Sequence, residues 1–193
     1  MERLELAFAL FDEYNRQDPN TVVREGINYP AEHFYALQLY KWVKTLAPDA
    51  GEVLLLASRC QHIGRWQSPR SGYPAGKAGY LRWRTELAKF HADVAEKLMK
   101  EAGYDAETIG SLRSILLKEG LRTNPDMQTM ENALCLVFLE FQYEDFLALH
   151  DEEKMVRILK KSWGKMTEPG RQAALGLSFS EKGTALIGKA LSG

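Results

Sequence analysis

Apolar residues return at three- and four-residue spacing along almost the whole chain, and no run shows the sustained alternation of β-branched residues that a strand needs. That pattern predicts an all-α fold. Leu4, Ala7, Phe8, Phe11 and Tyr14 form the stripe of a first amphipathic helix, which should end in the polar segment Asn15 to Asn20, before a loop through Gly26. Pro30 suits the first turn of a second helix reaching Leu46. Asp49 and Glu52 have capping-box spacing for a third helix over about residues 50–63, stopped by Gly64. A fourth is expected over Tyr80–Glu101, a fifth from its cap Asp105 to Lys118, a sixth from Asn124-Pro125 to about Leu149, and two or three shorter ones in 151–192. At 193 residues the chain can bury one substantial core. A single-domain helical bundle over 1–193 is expected, its core at about 29–150 and its C-terminal helices, 151–193, packed on it.

Cys60 and Cys135 each fall inside an apolar helical pattern and make no disulfide framework, which suits a reducing compartment. Charges occupy the N-terminal positions where a secretory signal has its apolar run. The longest apolar stretch, Ala133 to Leu139, is far short of the roughly 20 residues that span a bilayer. The expectation is a cytoplasmic protein without a membrane partner.

The formal net charge of −1 hides a segregation. Arg59, Arg65, Arg70, Lys77, Arg82 and Arg84 stand between Ala57 and Thr85 with no Asp or Glu among them, so this stretch carries +6 and the remainder −7. Pro69, Gly72, Pro74, Gly76 and Gly79 lie inside it, and residues 65–79 read as a structureless insertion of a length that is usually functional or disordered. Arginine binds phosphate through a planar fork, and Trp66, Tyr73, Tyr80 and Trp83 between the cations can stack on a nucleobase. Arg59, Arg70, Lys77, Arg82 and Arg84 are therefore candidate phosphate-binding residues, with Trp66 and Trp83 as base-stacking partners. The alternative is a solvated loop whose arginines pair with the acidic remainder, such as Glu140, Glu144 and Asp145.

Several polar residues share the apolar stripes. His33 falls with Ala36, Leu37, Tyr40 and Val43; His62 follows Leu55 and Ser58; His91 lies among Leu87, Val94, Ala95 and Leu98; Glu131 is in line with Met127, Leu134, Phe138 and Phe141. A histidine so placed is commonly a hydrogen-bonded core residue. A buried carboxylate must be paired, protonated or metal-bound.

The run Leu54-Leu55-Leu56-Ala57-Ser58-Arg59-Cys60-Gln61-His62-Ile63-Gly64-Arg65 resembles the signature helix of HD-domain phosphohydrolases, a Leu/Ala-rich helix ending in His-Asp-Ile-Gly-Lys. The resemblance implies an HD-like helical fold with a metal site, its first His matched by His33 and its final Asp by Glu131, which opens Glu131-Asn132-Ala133-Leu134. Gln61 stands where that family has His, and His62 where it has Asp, which argues against two metals. What the resemblance then implies is one divalent ion (Mn, Zn, Fe or Mg) on His33, His62 and Glu131, joined by His91. Over about residues 29–145 the chain is similar to the domain of unknown function 4202 family, through Tyr29-Pro30-Ala31-Glu32-His33-Phe34, Arg59-Cys60-Gln61-His62-Ile63-Gly64-Arg65-Trp66, Pro69-Arg70, Gly79-Tyr80-Leu81-Arg82-Trp83-Arg84 and Glu131-Asn132-Ala133-Leu134-Cys135.

The expected function is a divergent metal-dependent phosphohydrolase acting on an anionic small molecule, a nucleotide or RNA, with Gln61 and Arg65 as candidate catalytic residues. The alternative is a non-catalytic module that holds a nucleotide, RNA or an acidic partner through its basic loop.

Overall fold

The computed structural model describes residues 2–120 and 123–192. Helix α1 (Arg3–Asn15) leads into a two-stranded antiparallel hairpin, β1 (Thr21–Arg24) and β2 (Ile27–Pro30), and then α2 (Ala31–Leu46) and α3 (Glu52–Cys60). Two 3₁₀ turns, Arg65–Gln67 and Arg70–Gly72, precede the long α4 (Gly76–Glu101). The chain continues through α5 (Ala106–Leu116), α6 (Pro125–Phe141), α7 (Tyr143–Leu149), α8 (Glu152–Lys165), α9 (Glu168–Leu175) and α10 (Glu181–Leu191). The all-α expectation holds, with the hairpin as the one departure among the described residues.

That hairpin replaces the expected loop. Glu25 and Gly26 both take positive φ, 52° and 78°, the two-residue turn whose twist matches antiparallel strands. Thr21 pairs with Pro30 and Arg24 with Ile27. The strands are four residues each and none of their residues is buried, so no buried face leaves an alternating apolar signature.

Several helix ends fall where their capping chemistry predicts. Asp105 accepts from the Thr108 N–H, and Asn124 from Asp126 with Pro125 in the first turn. Gly64, Gly103 and Gly120 close helical segments at positive φ. Asp49 does not cap α3: the N-cap is Gly51, and no side chain caps there. Nor does the sixth helix run unbroken to Leu149, since Gln142 leaves helical geometry and α7 starts afresh at Tyr143.

Helix α6 joins two apolar clusters. Met130, Ala133 and Val137 pack with α1–α5, while Cys135, Leu136 and Leu139 pack with α7–α10. A helix apolar on both sides is buried on both. Residues 65–75 are not structureless. Arg70 donates to the carbonyls of Tyr73 (2.9 Å) and Pro74 (2.8 Å), and Trp83 Nε1 donates to Ser68 O (2.9 Å). The segment is thereby strapped to α4. Gly79 permits this contact, because a Cβ there would stand 1.9 Å from the Pro74 carbonyl oxygen.

Candidate functional site

A cavity of about 330 Å³ opens where α2 and α3 meet α6 and α7. Leu39, Leu134, Val137, Phe138 and Phe146 supply an apolar and aromatic wall; Glu32, Ser58, Gln61, His62, Arg65 and Asp145 are among its polar lining. An apolar wall with a few convergent polar groups is the usual form of a small-molecule site.

Three elements place the polar group. The buried Asp18 carboxylate accepts from the Glu32 N–H (2.9 Å) and so fixes the start of α2, which its N-cap, Pro30, cannot cap with a side chain. Gln61 and His62 lie in the turn that ends α3. Gly64, at φ +70°, reverses the chain against Phe90 and Tyr14, and Arg65 follows. The Arg65 guanidinium lies 5.7 Å from the Trp83 ring centroid, a cation–π contact that orients it.

The protonation states are unusual. Burial pushes the Glu32 carboxyl up to about 7, against the pull of Arg65 and with a further push from Asp18. Arg65 Nε is 3.9 Å from Glu32 Oε1, too far for a hydrogen bond. His62 is held well below the usual histidine value, by burial first and then by Arg65, His91, Lys118 and Arg84. His91 is lowered to about 4, again chiefly by burial. Its Nδ1 lies 2.6 Å from the Ile63 carbonyl, which can only accept, so Nδ1 carries the proton and Nε2 presents a bare lone pair. That Nε2 and Gln61 Oε1 are buried without hydrogen-bond partners.

The four residues matched to a metal set have different surroundings. His62 and His91 face each other, ring centroids 5.8 Å apart. His33 instead turns toward α1, its Nε2 3.9 Å from Asp12 Oδ2 and outside the cavity lining. Glu131 is 3 % exposed and bonded to Lys118, with Lys165 Nζ at 3.6 Å from its other oxygen. Burial alone would raise the Glu131 carboxyl; Lys118 and then Lys165 outweigh it and hold it below the ordinary value. Among the described residues no group of three or more His, Cys, Asp or Glu is arranged to hold a metal ion. With Glu131 neutralised by two ammonium groups and His62 in the field of Arg65, Lys118 and Arg84, these side chains do not fit a divalent ion.

The basic segment is also redistributed. Arg59 is 8 % exposed, bonded to Asp12 and set over the rings of Phe8 and Tyr40, so it offers no surface charge. Arg70 is used on backbone carbonyls, and Arg82 on Glu86 at 2.7 Å. Arg84 reaches the Tyr80 hydroxyl at 3.1 Å, while Lys77 is exposed. Trp83 is buried under Arg65, and the half-buried Trp66 packs on Tyr14, ring centroids 5.9 Å apart. Of the expected anion-binding or catalytic residues, Gln61 and Arg65 reach the cavity.

Glu32 was not among the sequence candidates. Its signal was its spacing to Tyr35, Ala36 and Leu39, a cavity stripe one residue out of phase with the His33 stripe. The family model of a domain of unknown function (DUF4202) matches residues 5–187. The chain belongs to that family. No curated protein and no solved structure matches it. In this DUF4202 chain no described helix is long and apolar enough to cross a membrane.

Proposed function

We propose that this DUF4202 chain binds a phosphorylated small molecule, a nucleotide by preference, in the cavity between α2, α3 and α6. One observation carries the reading: Arg65 is the only Lys or Arg among the described cavity-lining residues, and its nearest acid, Glu32, is not hydrogen-bonded to it and is largely protonated below about pH 7. Its positive charge therefore has no settled partner. Phe138, Phe146 and Tyr35 can flank a flat ring.

A second reading adds cleavage of the ester. It is favoured by a protonated carboxyl at the cavity wall, the acid that ester cleavage needs. As water attacks phosphorus and the P–O bond to the leaving group breaks, Glu32 would protonate the departing oxygen and the water's proton would pass to solvent.

Calorimetric titration with the common nucleoside monophosphates at pH 6.5 tests both. Binding by the native chain, weakened roughly 10- to 100-fold in Arg65→Ala, is expected. Absence of binding at millimolar ligand, or an unchanged affinity in Arg65→Ala, overturns the reading. Inorganic phosphate released in the same mixtures decides whether the site also hydrolyses.

A further inference from the structure

The C-terminal helices enclose a second cavity, of about 160 Å³, between α6, α8, α9 and α10. Helix α8 supplies one wall because its apolar residues fall on one side: Met155, Leu159 and the C-cap Met166 are buried, while Lys154, Arg157, Lys160, Lys161 and Lys165 are exposed. The starts of α9 and α10 are tethered to other helices. Thr167, before α9, is bonded twice to Asn132 of α6, at 2.8 and 3.0 Å. Ser180, the N-cap of α10, is bonded twice to Glu144 of α7, at 2.8 and 2.9 Å. Gly170 brings α9 so close to α6 that a Cβ there would meet the Asn132 side chain at 2.7 Å. The space between these helices is thus held by polar tethers outside it, not by side chains that fill it.

Its lining is chemically simple. Leu139, Leu159, Trp163, Met166, Phe179 and Ile187 make it apolar, and no Asp, Glu, Lys, Arg or His is among the described lining residues. An ion inside it would have no counter-charge, which disfavours any ionised ligand. Ser162 of α8 and Thr184 of α10 bring two hydroxyls to it. Leu175 and Leu191, 58 % and 40 % exposed, also line it, so it opens to the surface. Apolar cavities of about 150 Å³ admit one benzene-sized ring.

We propose that this cavity is a second binding site, for a neutral molecule of one aromatic ring carrying one hydrogen-bonding substituent, the phenol class. The uncharged lining selects a neutral ligand, the volume a single ring, and the two hydroxyls a polar substituent. This site is independent of the anion-binding reading above. Helix α6 divides the two cavities, with Phe138 lining the first and Leu139 the second.

The test follows the backbone amide signals of the native chain by NMR during titration with phenol, toluene and benzoate at pH 7. Phenol should shift the signals of Ser162, Trp163, Ala174 and Ile187 with a Kd on the order of 0.1–1 mM, leaving those of Glu32 and Arg65 in place. Benzoate, an anion of similar size, should bind there at least roughly tenfold more weakly. The double variant Ser162→Ala, Thr184→Val should weaken phenol roughly fivefold to tenfold and toluene by less than about twofold. Absence of shifts in α8–α10 at about 10 mM phenol, or benzoate bound there as tightly as phenol, overturns the proposal. Both of those results come from the native chain, so a variant that fails to fold would not spare it. An unchanged phenol affinity in the folded double variant overturns the choice of a polar substituent.

Discussion

Two glutamates, Glu131 buried and Glu32 half-buried, divide this molecule into a settled region and an unsettled one. Glu131, where α6 meets the end of α5, has an ammonium group at each oxygen and is held ionised. Glu32, at the start of α2, has an arginine beyond hydrogen-bond reach and a second acid behind it, and burial keeps it protonated toward neutral pH. The two run in opposite directions with pH. Glu131, lowered, stabilises the fold above the ordinary glutamate value, and that contribution is lost as the pH falls. Glu32, raised, holds a proton in the native state that the unfolded chain has lost between 4.5 and about 7, so stability falls as the pH rises through that window. A carboxylate already satisfied by the protein has little to offer a ligand. One left unsatisfied at a cavity wall keeps its polar atoms free of protein partners.

The contrast can be broken most sharply at Lys118. Lys118→Met leaves the nearly inaccessible Glu131 with Lys165 alone, and denaturant unfolding at neutral pH should show a loss of about 3–5 kcal/mol. A loss under 1 kcal/mol would mean that Glu131 is not settled by its ion pair. Glu32→Gln should act the other way: relative to the native chain it should gain about 2–3 kcal/mol between pH 5 and pH 8, since Gln carries no proton to lose. If the two unfolding curves keep a constant offset across that range, Glu32 is not the unsatisfied member. The smallest effect belongs to Lys165→Ala. Its side chain is 54 % exposed and 3.6 Å from Glu131, so a change of about 0.5–1 kcal/mol, shrinking with added salt, is expected. A larger, salt-insensitive change would move the ion pair's weight from Lys118 to Lys165.

Helix α2 carries an acid and a histidine on neighbouring faces that periodicity does not rank. Successive residues on a helix project about 100° apart, so Glu32 and His33 belong to different faces. Both faces carry apolar neighbours because α2 packs on α3 and α6 on one side and touches α1 on another. Periodicity therefore gave no reason to prefer one face. The same limit applies to Arg59: a cation inside an apolar helix pattern reads as a rim residue until Asp12, 47 positions earlier, is found beside it. Trp83 and Arg70 were legible as aromatic and cationic, but their turn inward depends on where Ser68, Tyr73 and Pro74 place their carbonyls. Gln61, His62 and Arg65 were more accessible to sequence reading, because a helix end closed by Gly64 points its last side chains in a direction that local chemistry nearly fixes.

By itself the sequence determined the helical class, the caps at Asp105 and Asn124, the glycine turns at 64, 103 and 120, and the position of Gln61, His62 and Arg65 at the end of α3. These follow from interactions within a few residues, which a linear chain already contains. Only the tertiary structure decided that Glu131 has two lysines, that Arg59 is spent on Asp12, and that Glu32 shares a cavity with Arg65 and lacks a hydrogen bond to it. A charge's partner and its degree of burial are set by segments distant along the chain, and those two quantities fix whether a buried acid supports the fold or is left to meet a ligand.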